Sequence, residues 1–213
     1  MKVDTAELPI VAIYADESCL GNGREGDNPG GAAGVIEYLD ARTDRLTRWD
    51  FWLSEPGTTN NRMALRSVIE AFTIISRKGQ HFRVLFTSDS QYLVKGMSEW
   101  IYGWIGRGWR RKEGVIENLD LWKQAALAVQ GHRVEWQWVR GHHGHCQNEY
   151  ANDLAVNAAK DQSSSSGAAT SRFDEWLAEQ QKTRRKLGEP APFPAQRVLK
   201  PSRPIPVTVS SSV

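Results

Sequence analysis

The run Val11-Ala12-Ile13-Tyr14-Ala15 has the apolar, β-branched character of a buried strand, and it ends in Asp16-Glu17-Ser18-Cys19-Leu20-Gly21-Asn22-Gly23. Two carboxylates and a glycine/asparagine turn therefore close a strand. Such a strand carries acid to the edge of a sheet, where a divalent metal finds the oxygen ligands on rigid backbone that hard cations require. An exposed acidic strand end would leave the same trace, because Asp is also an ordinary turn residue. The rest of the chain decides between these readings.

At 213 residues, with a hydrophobic content of 40%, the chain has material for one good-sized domain plus a tail. Its net charge of +2 is too small to point to nucleic acid, so any basic surface must come from local clustering. Cys19 and Cys146 form no Cys-x-x-Cys pattern, which argues against a disulfide framework or a thiolate zinc site and fits a reducing, cytoplasmic compartment. Residues 1–9 read as a short polar extension without a leader's apolar segment, and no later run is long enough to span a bilayer. No membrane association is expected.

Gly21 to Gly34 is a glycine-rich turn region leading into a second strand around Ala32 to Tyr38. A phosphate-cradling loop is disfavoured there, since no Gly-Lys-Ser/Thr follows and no helix opens behind it. A third strand spans Thr47 to Leu53, so three strands on short connections form an antiparallel meander. Thr58-Thr59-Asn60-Asn61 supplies caps for a helix running to about Lys78, with Leu65, Val68, Ile69, Phe72 and Ile75 on its apolar face. Arg83 to Thr87 is a buried strand that ends in Ser88-Asp89-Ser90-Gln91, a second carboxylate at a strand end.

From Tyr92 to Gly114, Trp100, Trp104 and Trp109 interleave with Arg107, Arg110, Arg111 and Lys112. Core tryptophans with a solvated basic face explain part of this pattern. Gly103, Gly106 and Gly108 favour a bent, protruding handle, and cations beside aromatics suit a nucleic-acid backbone. A helix over Asn118 to Gln130 and a strand over His132 to Val139 follow, then Gly141-His142-His143-Gly144-His145-Cys146 and a helix from about Gln147 to Lys160 carrying Glu149 and Asp153. The histidines and the cysteine are crowded into one short loop, unlike the separated pairs of tetrahedral zinc sites. A loop histidine poised for proton transfer is the better functional reading. From Asp161 onward, serine, then proline and basic residues dominate, so 161–213 is expected to be a mostly disordered tail outside a domain at 10–160. A short helix at about Phe173 to Lys186 could anchor through Trp176 and Leu177, and Arg184, Arg185 and Lys186 could add affinity for nucleic acid.

The element order and the motifs together resemble the type 1 ribonuclease H family. Asp16-Glu17-Ser18-Cys19-Leu20-Gly21-Asn22 is similar to its D-G-S-C-x-G-N, Thr58-Thr59-Asn60-Asn61-Arg62-Met63 to its T-T-N-N-R-M, and Thr87-Ser88-Asp89-Ser90-Gln91-Tyr92 to its T-D-S-Q-Y. Trp100 to Trp109 matches its basic handle, and Gly141 to Asp153 its last loop and catalytic helix. The resemblance implies an α/β fold with a five-stranded mixed sheet, three antiparallel strands then two parallel, flanked by helices. It further implies a monomeric endonuclease that cuts the RNA strand of an RNA/DNA hybrid with two Mg²⁺ or Mn²⁺ ions, leaving 5′-phosphate and 3′-hydroxyl ends. On this resemblance Asp16, Asp89 and Asp153 are metal ligands and His142 assists proton movement or product release. Cys19, Asn22, Thr59, Asn60, Asn61 and Gln91 contact the hybrid, where 2′-hydroxyls mark RNA. Trp100, Trp104, Arg110, Arg111 and Lys112 hold the DNA strand.

Two departures bear on chemistry. The family's Glu after N-R-M is Ala64 here, and its Gly after the first Asp is Glu17. Alanine ligates nothing. Either another carboxylate stands in, or the chain is a non-catalytic hybrid-binding module. Glu70 lies six residues past Ala64 and turns away from that face, and Glu149 lies four before Asp153 on one side of the last helix. Glu17 would point to the opposite face from Asp16 under strict alternation, unless the strand's end bends it round. The gain of Glu17 where Ala64 loses an acid makes Glu17 the leading replacement. A DNA-cutting integrase or junction nuclease on a related fold fits the Asn60, Asn61 and Gln91 set less well.

Overall fold

The computed structural model describes residues 8–21, 28–183, 187–195 and 198–206. A mixed sheet in the order β5-β4-β1-β2-β3-β6 forms the centre. β1 (Ile10–Cys19), β2 (Gly30–Asp40) and β3 (Arg45–Glu55) form the expected antiparallel meander, and β4 (Arg83–Ser88) and β5 (Arg133–Trp138) add in parallel on the other side of β1. A sixth strand beyond the five expected, β6 (Ala169–Thr170), pairs with β3.

Alternation along β1 sorts its side chains between two layers. Val11, Ile13 and Ala15 join the main core with Leu65, Val68 and Phe72 of α1 (Asn60–Ser76), whereas Ala12 and Tyr14 pack with Cys146 and Tyr150 of α5 (Cys146–Asp161). The α5 layer sits close. A Cβ on Gly31 of β2 would run into the Ala155 carbonyl, so only glycine allows this approach. Thr59 caps α1 by accepting the Arg62 N–H (3.4 Å), as the Thr/Asn pattern foretells.

Between β4 and β5 the chain forms α2 (Gln91–Lys95), a π-helical turn (Gly96–Trp100), α3 (Ile101–Gly106) and α4 (Leu119–Ala128). The π turn falls where the Trp122 ring of α4 fills the space that a Gly96 side chain would need. Trp104 packs against Trp122 and Trp100, while Trp100 is 38% exposed, so the handle's tryptophans divide between packing and surface. Arg110, Arg111 and Lys112 are exposed beside them.

The tail departs from expectation. Rather than forming disordered chain, its described parts pack against the domain. After β6, α6 (Phe173–Lys182) buries Phe173 to 1% exposure against Tyr150 and Trp176, and the Arg48 guanidinium bonds the Asp174 carboxylate (3.0 Å). Farther on, Ser202 N donates to the Val134 carbonyl of β5, the Tyr102 hydroxyl donates to the Arg203 carbonyl, and Ile205 enters the main core. The tail thus meets the domain's sheet at both sides, at β3 through β6 and at β5 through Ser202. Its Ser/Pro composition hid this because its apolar residues pack on faces of the domain instead of on each other. Arg184, Arg185 and Lys186, like Asn22, lie outside the described residues. No helix among the described residues is long and apolar enough to cross a membrane.

If Phe173 is a seated anchor, Phe173→Ala should lower the unfolding free energy by about 3–5 kcal/mol in urea titrations. A loss below about 0.5 kcal/mol, the usual size of a surface substitution, would show that the tail does not dock.

Candidate active site

β1 and β4 end at different heights, and the site lies in the step between them. The last β1 residue paired with β4 is Tyr14, opposite Thr87, yet β1 continues to Cys19. Asp16 and Glu17 therefore lie past the end of the β4 ladder, with no strand among the described residues closing that side, and Asp89 follows immediately after β4. Asp16 belongs to the α5 face and Glu17 to the α1 face by alternation. Carboxylate oxygens of Asp16, Glu17 and Asp89 nevertheless approach within 4.8 Å of one another. β1 stays in register with β2 through Cys19, so the open step beyond β4, and not a bend in β1, leaves room for Glu17 beside Asp16 and Asp89.

Each carboxylate is held. Asp16 is 5% exposed; its Oδ1 accepts the Glu17 N–H (2.7 Å) and its Oδ2 accepts from Asn148 Nδ2 of α5 (3.1 Å). Glu17 accepts a side-chain hydrogen bond from Ser90, while its buried Oε2 has no partner. Asp89 is fixed through its backbone, whose carbonyl accepts from Trp138 Nε1 (2.9 Å). Gly141 passes so close that a Cβ there would strike Asp89 Oδ2, which explains glycine at the start of the histidine loop. His142 of this loop is exposed and takes φ +54°; its Nδ1 lies 3.9 Å from Glu149 Oε2. Glu149 is buried, and its Oε1 accepts the Gly144 N–H (3.3 Å).

Burial and mutual repulsion raise the site's carboxyl pKa values. Asp16 is pushed up to about 8, first by burial and then by Asp89, with Glu149 adding to the effect. Burial, then Asp16 and Asp89, drive Glu17 well above the carboxylate range. Asp89 also rises through burial, with its own backbone N–H and His142 opposing the shift. Crowded, buried carboxylates with an orphaned oxygen have the chemistry of a cation-binding set: a divalent ion would relieve the repulsion and partner the free oxygen.

Asp153 is a correction. Its Oδ2 accepts from Trp176 Nε1 (2.9 Å), toward the tail helix, and the three-carboxylate cluster does not include it. One residue along a helix turns the side chain by about 100°. Position 152, four residues after Asn148, is the one that shares the face of the Asp16 partner. Asn148, Gly141 and Ser90, which touch these carboxylates, are the residues sequence reading missed. Ala64 is fully buried in the main core. Asn60 and Asn61 are half-buried at the start of α1, Cys19 is half-buried, and Gln91 is exposed at the start of α2.

A mixed sheet with clustered acid at the strand ends and a basic helical handle defines a class of cation-dependent nucleases, and comparison with known proteins narrows it. The RNase H family model matches residues 9–160. Ribonuclease H of Herminiimonas arsenicoxydans is 42% identical over 147 residues, covering 68% of this chain and 91% of that protein. Ribonuclease H of Chromohalobacter salexigens is 40% identical over 159 residues, covering 74% of this chain and 88% of that protein. The crystal structure of LC9-RNase H1, described as a type 1 RNase H with the type 2 active-site motif, superposes with a TM-score of 0.85 at 56% identity, covering 95% of this chain and 96% of that one. The chain belongs to the RNase H family of hydrolytic endonucleases.

The raised Asp16 pKa has a thermodynamic consequence. Its carboxyl titrates near 3.8 when unfolded and at about 8 in the fold. Between those values the folded chain holds more protons than the unfolded one, so cation-free stability falls as pH rises across the interval. Melts in EDTA should show this decline for wild type, less of it for Asp16→Asn, and recovery with Mg²⁺ at the alkaline end. Parallel EDTA curves for the two proteins would contradict the assignment.

Proposed function

We infer that the chain hydrolyses the RNA strand of RNA/DNA hybrids with two bound Mg²⁺ or Mn²⁺ ions, with Glu17 in place of the carboxylate absent at Ala64. The observation that carries this reading is the convergence of Asp16, Glu17 and Asp89. The likeness to a type 1 RNase H described as having a type 2 active-site motif supports it, since Glu17 and Ala64 alter the usual type 1 set. Asp16, Glu17 and Asp89 would hold the ions through oxygen, and Asn152 would add an uncharged amide where a fourth ligand belongs. The bound ions would activate the attacking water and stabilise the leaving 3′ oxygen, giving 5′-phosphate and 3′-hydroxyl ends.

The remaining roles fall to the chain itself. His142, exposed on its loop near Glu149, is placed to take and release a proton or to aid product departure. Cys19 at the end of β1, Asn60 and Asn61 at the start of α1 and Gln91 at the start of α2 would read 2′-hydroxyls, and Asn22 and Thr59 would join them by their motifs. Trp100, with Arg110, Arg111 and Lys112, would hold phosphates of the DNA strand, and Trp104 supports Trp100 from beneath.

Rates on a labelled hybrid, measured against Mg²⁺ concentration, test this reading. Glu17→Gln should lower turnover at least about tenfold, some 1.4 kcal/mol of transition-state stabilisation, and raise the Mg²⁺ needed for half-maximal rate. Ala64→Glu should restore activity in the Glu17→Gln background. Asp153→Asn should stay near wild type. A wild-type chain that binds hybrid without cutting it at any Mg²⁺ or Mn²⁺ concentration would instead be a binding module, and an unchanged Glu17→Gln profile would remove Glu17 from the site.

A further inference from the structure

The tail's middle segment, Leu187–Ala195, touches the base of the histidine loop at several points. Gly188 N donates to the Gly144 carbonyl (2.8 Å), and the Cys146 thiol donates back to the Gly188 carbonyl (2.8 Å). One turn on, the fully buried Gln147 amide makes a reciprocal pair with Ala191: Gln147 Nε2 donates to its carbonyl (2.8 Å), and its N–H donates to Gln147 Oε1 (3.0 Å). Leu187, Ala191 and Phe193 pack on the apolar cluster of Ala12, Tyr14, Cys146 and Tyr150.

These contacts bear on few residues, but those residues govern the loop. Gly144 is gripped from both sides, its N–H by Glu149 and its carbonyl by Gly188. His145 caps α5 by accepting the Asn148 N–H (3.4 Å), and Asn148 in turn holds Asp16. His142 and His143, at the loop's outer turn, are exposed. The tail therefore supplies half of the hold on the hinge that carries His142, at the point where α5 begins to support Asp16.

We propose that Leu187–Phe193 is a positioning strap for the active-site loop, with Gln147 as its buckle, so that the tail is part of the catalytic apparatus of this chain. The proposal rests on the hybrid-cleaving reading for its kinetic readout but not for its structural one. Gln147 is a positioning residue that acts through Gly144 and His142 and touches neither substrate nor cation. The family match over 9–160 stops short of this strap.

The test uses full-length variants. Gln147→Met keeps length and bulk while removing both bonds to Ala191, and with them the amide that also bonds the buried Glu37 carboxylate, so Ala191→Pro is the variant that isolates the strap. Ala191→Pro deletes only the N–H to Gln147, at a position already restricted to extended backbone by the following Pro192. Gln130→Met releases the tail at its far end, where Gln130 Nε2 donates to the Ile205 carbonyl (3.2 Å), and serves as the comparison. With Mg²⁺ and labelled hybrid, the two strap variants should lose about tenfold in kcat with KM nearly unchanged, while Gln130→Met keeps wild-type kcat at a similar loss of melting temperature. Amide exchange at Gly144 and His145 should quicken in the strap variants alone. Should Gln147→Met fail to fold, Ala191→Pro carries the test. Unchanged kcat and unchanged exchange at these amides would overturn the proposal. A wild-type protein that cuts no hybrid would count against the functional reading only, and the exchange measurement would still decide the strap.

Discussion

Crowding of negative charge beside the end of one short strand is the constraint on which this structure depends. β4 stops at Ser88 while its neighbour β1 runs on past Asp16 and Glu17, so carboxylates from both strands face one another across an unfilled step. One buried and two half-buried acids within 4.8 Å repel, and desolvation adds to that cost, in keeping with the raised Asp16, Glu17 and Asp89 pKa values. Such an arrangement persists because the surrounding fold holds it in place. A divalent cation would relieve that repulsion.

The two helical layers share this task unequally. On the α5 side, Asn148 bonds Asp16, and the loop before the helix folds over Asp89 through Gly141. On the α1 side Ala64, where the type 1 motif that this chain resembles carries an acid, is wholly buried. In the proposed reading Glu17 would offer its carboxylate from the strand instead of from the helix, keeping the acid count while changing its backbone origin. A strand residue adjacent to Asp16 reaches the cluster only because β4 has already ended; with one more paired residue in β4, the same side chain would be walled off.

Much of this was legible in the sequence. The continuous apolar run of β1 and the helical spacing of Leu65, Val68 and Phe72 correctly separate strand from helix, and the latter marks the buried face of α1. Asp89 at a strand end also follows from local pattern, whereas the bend expected to bring Glu17 round is absent, since β1 keeps regular register with β2 through Asp16 and Glu17 to Cys19. Two further things did not follow. The adjacent polar pair Asn152-Asp153 lies at a point where a one-residue shift rotates the side chain by about 100°, and preference for a charged ligand selected Asp153, which the structure turns toward Trp176. Composition also misjudged the tail. Phe173, Phe193 and Ile205 are too widely spaced to form a core of their own, yet each adds to a surface the domain already presents.

The most direct measurement of the central claim is a crystal structure of the protein soaked with Mn²⁺, with the ion located by its anomalous scattering. The account requires Mn²⁺ in the step beyond β4, with carboxylate oxygens of Asp16, Glu17 and Asp89 at about 2.0–2.2 Å, in the range of hard divalent cations, and Asp153 still bonded to Trp176. Manganese bound without Glu17, or ligated by Asp153, would contradict it.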